Sequence, residues 1–267
     1  MKIYHYTSIR NLALILHSKK MRFSRLDMVD DIEEAAYGSG QYRIKLGQYC
    51  FVSCWTKSNK ENLALWNMYT NYRGVRIGIE SVPFVTYKVN DKFYSLIDKK
   101  RHYDDDYIIS CISCPAKLYD IKYVKDPEAE ISKIVKQISN NALYVKRNEI
   151  GIYKREEWRI QEESRFIINV SPFDKDLAYR SISEDDYDIT RIMKLDETVY
   201  PSLVRNKTIK KTFFDMPLDP VKLNNIEIML GPMTDDADEI IVRSLLKDFP
   251  NAQIKFSKFK DKLRNHT

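Results

Sequence analysis

With 267 residues the chain is long enough for one large domain or two small ones and for a substantial buried core. Its 44 Lys and Arg against 38 Asp and Glu give a net charge of +6, with the lysines scattered apart from modest clusters at 99–102 and 255–264. That balance tolerates an anionic partner without marking a dedicated nucleic-acid binder, and the absence of any apolar run near roughly eighteen residues excludes a membrane-spanning helix.

Residues 2–6 read as a strand in which Ile3 and His5 face one way and Tyr4 and Tyr6 the other. His5 therefore shares the side of an apolar neighbour, where its ring needs a hydrogen-bond partner or faces a cavity. Thr7 or Ser8 is placed to cap a helix whose Ile9, Leu12, Ile15 and Leu16 recur at helical spacing. A short strand at "KMRFS" and an acidic turn with a short helix, "LDMVDDIEEA", follow. Residues 49–56 read as a strand, 60–72 as a helix and 74–80 as a strand. "FYSLID" and part of "YIISCISCPAKLYDIKYV" read as strands, and 126–147 as one helix opened by Asp126 and Pro127.

The stretch 153–170 ends in a strand with Phe166 and Ile168 alternating against Ile167, whereas 171–222 is poorly periodic and reads as loops and short elements. A closing strand, helix and strand, from "NIEIMLGP" to "AQIKFSKF", has the pattern of a parallel pair. With no repeat or low-complexity linker, a single domain over 1–267 is expected, of α+β class with a mixed or antiparallel sheet core and flanking helices. The opening stretch holds Lys2 but only a short apolar run at 12–16 and no small-residue cleavage site, so a cytoplasmic location is expected.

Seven glycines form neither a dinucleotide fingerprint nor a phosphate-cradling loop, and no nucleophile elbow or H-E-x-x-H occurs. Ordinary kinases, P-loop ATPases and Rossmann dehydrogenases are thereby disfavoured. The pairs Cys50/Cys54 and Cys111/Cys114 suit either buried reduced thiols or a zinc site; because "YCFVSCWT" reads as a buried strand, no metal is expected. His102 and His266 fall in a charged loop and at the chain end, and His17 near a helix C-terminus. Any chemistry must rest on His5, carboxylates, aromatics and hydroxyls.

"YHYTSIRNLALILHSKKMRFS" resembles the opening of bacterial DNA-targeting ADP-ribosyltransferase toxins, sharply over about the first 25 residues and more loosely up to Tyr69. Nearly the whole chain is similar to an uncharacterised bacterial family known by a domain of unknown function. Its landmarks stand here as Asp30-Asp31-Ile32-Glu33-Glu34, Cys50-Phe51-Val52-Ser53, Trp66, Tyr69 and Gly74, then Trp158, Glu163, Arg165 and Leu230-Gly231. Asp30 replaces an Asn of that pattern, Ile32 a Pro, and Gln161 the first Glu of the late motif.

The resemblance implies an ADP-ribosyltransferase-like split sheet holding NAD in an extended cleft. Glu163 would steady the cation that forms on the ribose, and His5 would hydrogen-bond the other ribose. Arg165 would hold the carboxylate or meet pyrophosphate. Thr7 and Ser8 would lie near phosphate, Tyr6, Trp66 and Tyr69 would offer stacking surfaces, and Ser53 completes the implied site. It implies NAD as substrate, a nucleic-acid or protein acceptor, a toxin or anti-phage setting and a regulatory partner protein.

Each feature also has a plain structural reading. His5 reads as a hydrogen-bonded core histidine, Trp66 and Tyr69 as a core stripe, Asp31 and Glu34 as helix-start acids, and "WRIQEESR" as a solvated edge strand with a structural Glu163–Arg165 pair. Beside transfer to an acceptor stand NAD hydrolysis and a non-catalytic nucleotide- or protein-binding module.

Overall fold

The computed structural model describes residues 1–35, 43–139, 142–179 and 188–264. Among them nine strands share one sheet. These are β1 (Lys2–Thr7), β2 (Lys20–Arg25), β3 (Cys50–Thr56), β4 (Val75–Glu80), β5 (Tyr119–Asp120), β6 (Glu163–Asn169), β7 (Phe213–Pro217), β8 (Glu227–Leu230) and β9 (Gln253–Phe256). The longer helices are α1 (Ile9–Ser18), α2 (Leu63–Thr70), α3 (Asp188–Glu197) and α4 (Asp236–Leu245).

Local chemistry sets the helix starts. Ser8 stays extended and its hydroxyl accepts from Asn11 N, so α1 begins at Ile9 and buries Leu12, Ile15 and Leu16. Asn62 caps α2 by accepting from the amides of Ala64 and Leu65, and Asp235 and Asp238 form a reciprocal capping box on α4. These caps lie within two or three residues of the starts that the sequence suggests.

The sheet forks at β3. One edge of β3 pairs antiparallel with β6 over seven residues, from Glu163↔Thr56 to Asn169↔Cys50. The other edge is shared: β2 pairs near its start, at Arg25↔Phe51 and Ser24↔Val52, and β1 pairs near its end, at Tyr4↔Thr56. Between these registers, at Ser53, Cys54 and Trp55, the shared edge has no ladder partner, and β1 and β2 diverge around the gap. From β1 one limb runs through β4 and β8 to β9, the last two strands parallel and joined through α4. From β2 the other limb ends at β7, antiparallel over Phe213↔Ser24 to Pro217↔Lys20.

A core of interlocking rings holds the fork. Phe84 packs against Phe23 and Phe166 with centroids 5.2 and 5.0 Å apart, and all three side chains are buried. Gly74 is required where α2 hands over to β4, because a Cβ there would stand 2.4 Å from the carbonyl oxygen of Thr7.

The coarse class is that expected, an α+β arrangement of mixed, mostly antiparallel sheet with flanking helices. Four expectations require correction. The helix expected over 126–147 is only Pro127–Ile131; the strands Val135–Ser139 and Ala142–Val145 then pair antiparallel. Asp126 and Pro127 do start a helix, but the chain turns after Ile131, burying Ile134 in the turn and the β-branched Val135 at the start of the strand. The region 171–222 holds the ten-residue α3 and the strand β7 on the main sheet, both hidden by weak periodicity. "WRIQEESR" is also no edge strand: its first residues finish a 3₁₀ helix with Arg159, Ile160 and Glu162 exposed, and only Glu163–Arg165 enter β6, which is buried between β3 and β5. His102 lies in a strand, Arg101–Tyr103, rather than a loop, and His266 lies outside the described residues.

Candidate functional site

The gap at the fork is a cavity of about 230 Å³. Of the residues singled out from the sequence, His5, Tyr6, Tyr69, Glu163 and Arg165 line it, together with Tyr4, Asp30, Cys54, Trp55, Lys154 and Gln161. It adjoins a groove of about 520 Å³ that shares His5, Tyr6, Ser24, Val29, Cys54 and Tyr69 and continues along Thr7, Asn11, Lys20 and Arg22. Thr7 and Ser53 line the groove alone.

His5 bridges the unpaired edge. Its Nδ1–H donates to the Cys54 carbonyl at 2.8 Å, since a carbonyl only accepts; this fixes the tautomer and leaves Nε2 as an acceptor. Burial lowers the ring's pKa against the smaller opposing effect of that carbonyl, so the ring is neutral. Its ring centroid lies 5.3 Å from that of the Trp55 indole, the two planes tilted by 47°.

The Gln161–Glu163 corner follows from one backbone feature. A 3₁₀ helix, Glu156–Gln161, ends at Glu162 in left-handed conformation (φ 44°), and the chain then enters β6. This turn buries Gln161 and Glu163 while Glu162 stays exposed. Glu156 and Glu157 are exposed as well, so of the four neighbouring glutamates only Glu163 lines the cavity.

Glu163 belongs to a closed ring of alternating charge. Arg165 Nε and Nη2 donate to its Oε1 and Oε2 at 2.5 and 3.0 Å, and Lys154 Nζ lies 3.2 Å from Oε2. On the other side Glu34 accepts from Lys154 at 2.9 Å and from both Arg165 terminal nitrogens. Gln161 Oε1 takes the third Lys154 proton at 2.6 Å, and the Gly151 carbonyl takes the fifth Arg165 proton at 3.0 Å. Gly151 offers that carbonyl from a left-handed φ of 76°. Burial opposes the charge on Glu163, but Arg165 and then Lys154 outweigh it and bring the carboxyl down to about 2. With all five N–H groups engaged, Arg165 holds the carboxylate and has no spare donor for pyrophosphate.

Other cavity groups are tuned by the same cluster. The Cys54 thiol is pushed well up, first by burial and then by the Glu163 charge, so it stays protonated. Tyr69 is likewise raised by burial and Glu163; its hydroxyl accepts from Gln161 Nε2 at 3.0 Å.

Three expected site residues are engaged in the fold itself. Trp66 is fully buried beneath Tyr6, edge-on at 4.8 Å, with its N–H donated to Glu61. The Ser8 hydroxyl is spent on the α1 cap, and Ser53 Oγ accepts from Trp55 Nε1 at 3.0 Å. Trp66 and Ser8 line neither the cavity nor the groove. Lys154 carries no sequence signal: it reaches the cluster because Tyr153–Arg155 pairs in parallel with Lys122–Val124. Glu34 was visible only as one acid of a turn.

All four cysteines are free thiols, and among the described residues no group of three or more His, Cys, Asp or Glu is placed to hold a metal ion. No helix among them is long and apolar enough to cross a membrane. Comparison with family models, curated proteins and solved structures finds no match for this chain.

Proposed function

We propose that the cavity and groove bind NAD and that the protein is an ADP-ribosyltransferase-like enzyme acting on a macromolecular acceptor. The observation that carries this reading is the convergence of His5 and Glu163 on one cavity at the fork of the sheet. The sequence resemblance assigned those two residues to one dinucleotide cleft.

The cavity alone is small for a dinucleotide, but it opens into the groove, and together they suit an extended ligand. The nicotinamide ribose sits in the cavity beside Glu163, among the aromatic rings of Tyr4, Trp55 and Tyr69. Nε2 of the neutral His5, at the junction between Glu163 and the groove cations, accepts from a hydroxyl of the nicotinamide ribose rather than of the second ribose, so that the diphosphate follows in the groove and the second ribose beyond it. Lys20 and Arg22 bring positive charge to the groove for the diphosphate, Arg22 being shared with Asp215 at 2.9 Å.

In the reaction the bond between the nicotinamide nitrogen and ribose C1′ breaks, and its electron pair leaves with nicotinamide as a neutral base. Positive charge develops on the sugar, and the ionised Glu163 stabilises it more than it stabilises the ground state. The acceptor's lone pair then bonds to C1′ and its proton passes to solvent. Water in the acceptor's place gives NAD hydrolysis. A binding module without turnover is favoured by one observation, the engagement of both Glu163 oxygens by Arg165.

Mass-spectrometric assay of NAD and nicotinamide, with wild type and Glu163→Gln, separates the three. Nicotinamide release that depends on added DNA, RNA or protein and is lost in the variant supports transfer. Acceptor-independent release indicates hydrolysis, and binding with no release indicates the module. Absence of both binding and release overturns the proposal.

A further inference from the structure

Lys154 and Arg165 bring two positive charges against Glu163, and taken alone those three groups present a net cation to the cavity. Glu34 makes the fourth corner. Its side chain is wholly buried, it contacts both cations, and it does not line the cavity. The ring is thereby neutral overall, with its cations shared between the two carboxylates and its negative corner, Glu163, turned to the cavity. From this arrangement we infer that Glu34 is a positioning residue: by taking up half of the cationic charge, it sets how negative a face Glu163 presents to a ligand in the cavity.

The acidic turn is built to hold Glu34 there. Asp31 Oδ1 accepts from the amide of Glu33, and the Glu33 side chain is clamped from outside by Arg155, Nη2 to Oε1 at 2.7 Å. Glu34 then points inward to Arg165 and Lys154, the adjacent residue of the same basic strand segment. In water such charges are screened; in this buried cluster the loss of one carboxylate is felt at its neighbours. Its consequence for turnover rests on the NAD reading; its consequence for the potential in the cavity does not.

Cys54 reports that potential without NAD. Its thiol lines the cavity, the other three cysteines are buried, and burial and then the Glu163 charge, with Glu34 adding to them, hold it protonated. Rates of iodoacetamide alkylation at Cys54, read by peptide mass spectrometry, are compared for wild type, Glu34→Gln and the double variant Glu34→Gln/Lys154→Met. NAD binding and turnover are measured alongside.

Glu34→Gln should speed Cys54 alkylation roughly three- to ten-fold through a larger thiolate fraction. It should slow turnover about ten-fold or more while NAD binding is unchanged or tighter. Removing one cation in the double variant should return both quantities toward wild type, which a merely structural role would not do. Unchanged alkylation in Glu34→Gln, or a double variant further from wild type than the single one, overturns the inference. Should Glu34→Gln fail to fold, Lys154→Met alone must slow Cys54 alkylation, and a faster or equal rate overturns it. The expected alkylation pattern with no NAD turnover in wild type removes the enzyme reading and leaves the charge role standing.

Discussion

His5 and Glu163 line one cavity because both their strands pair at the same residue: Thr56 of β3 stands opposite Tyr4 on one edge and opposite Glu163 on the other. The end of β3 thus draws the first strand and the late acidic strand together, while β2 holds the start of β3 and leaves the gap between. The cavity is a consequence of sheet topology, and its chemistry follows from the side chains carried there.

Glu163→Gln removes one corner of the buried charge ring. Breaking a buried pair from one side costs about 3–5 kcal/mol, so chemical denaturation should show a loss of that order. In the same variant any NAD turnover should fall on the order of a hundred-fold or more. Wild-type stability in the variant would contradict the burial and pairing described.

The acid limb of the stability curve carries the same signature. The Glu163 carboxyl lies near 4.5 when unperturbed and about 2 in the fold, so its contribution is complete above roughly pH 4.5 and fades as the pH falls toward 2. Urea melts of wild type and Glu163→Gln should show a gap that is constant at neutral pH and closes below about pH 4. A gap that persists to pH 2 would contradict the pairing.

For His5 the sign is the same. Burial places its folded pKa below the ordinary 6.5, so the neutral ring stabilises the fold above that value and this contribution is lost as the pH falls. His5→Ala should weaken NAD binding about ten-fold at pH 7.5 and leave the protein folded. A collapsed melting temperature would return His5 to a purely structural role.

Trp66 was attractive in the sequence as a stacking surface, but its indole is sealed beneath Tyr6. Trp66→Ala should cost about 3–5 kcal/mol of stability. NAD affinity of the folded fraction, followed by calorimetry, should remain within about three-fold of wild type. A large loss of affinity at unchanged stability would place the ring in the site after all.

Much of this arrangement was legible in the chain. The capped first helix, the strands at Cys50–Thr56 and Val75–Glu80 and the closing parallel pair all announce themselves by caps and periodicity, which are local signals. Register between distant strands is not local, so nothing in "YKREEW" shows that Lys154 will reach Glu163, or that Cys54 will meet His5. The hairpin after Ile131 was hidden by a helix-start signal that is real but governs only five residues.

The most direct test of the central claim is a crystal structure with a non-hydrolysable NAD analogue. The account predicts the nicotinamide ribose within hydrogen-bond distance of the Glu163 carboxylate, with the diphosphate leaving past His5 toward Lys20. An analogue bound elsewhere, or a cavity that stays empty at saturating concentration, would contradict it.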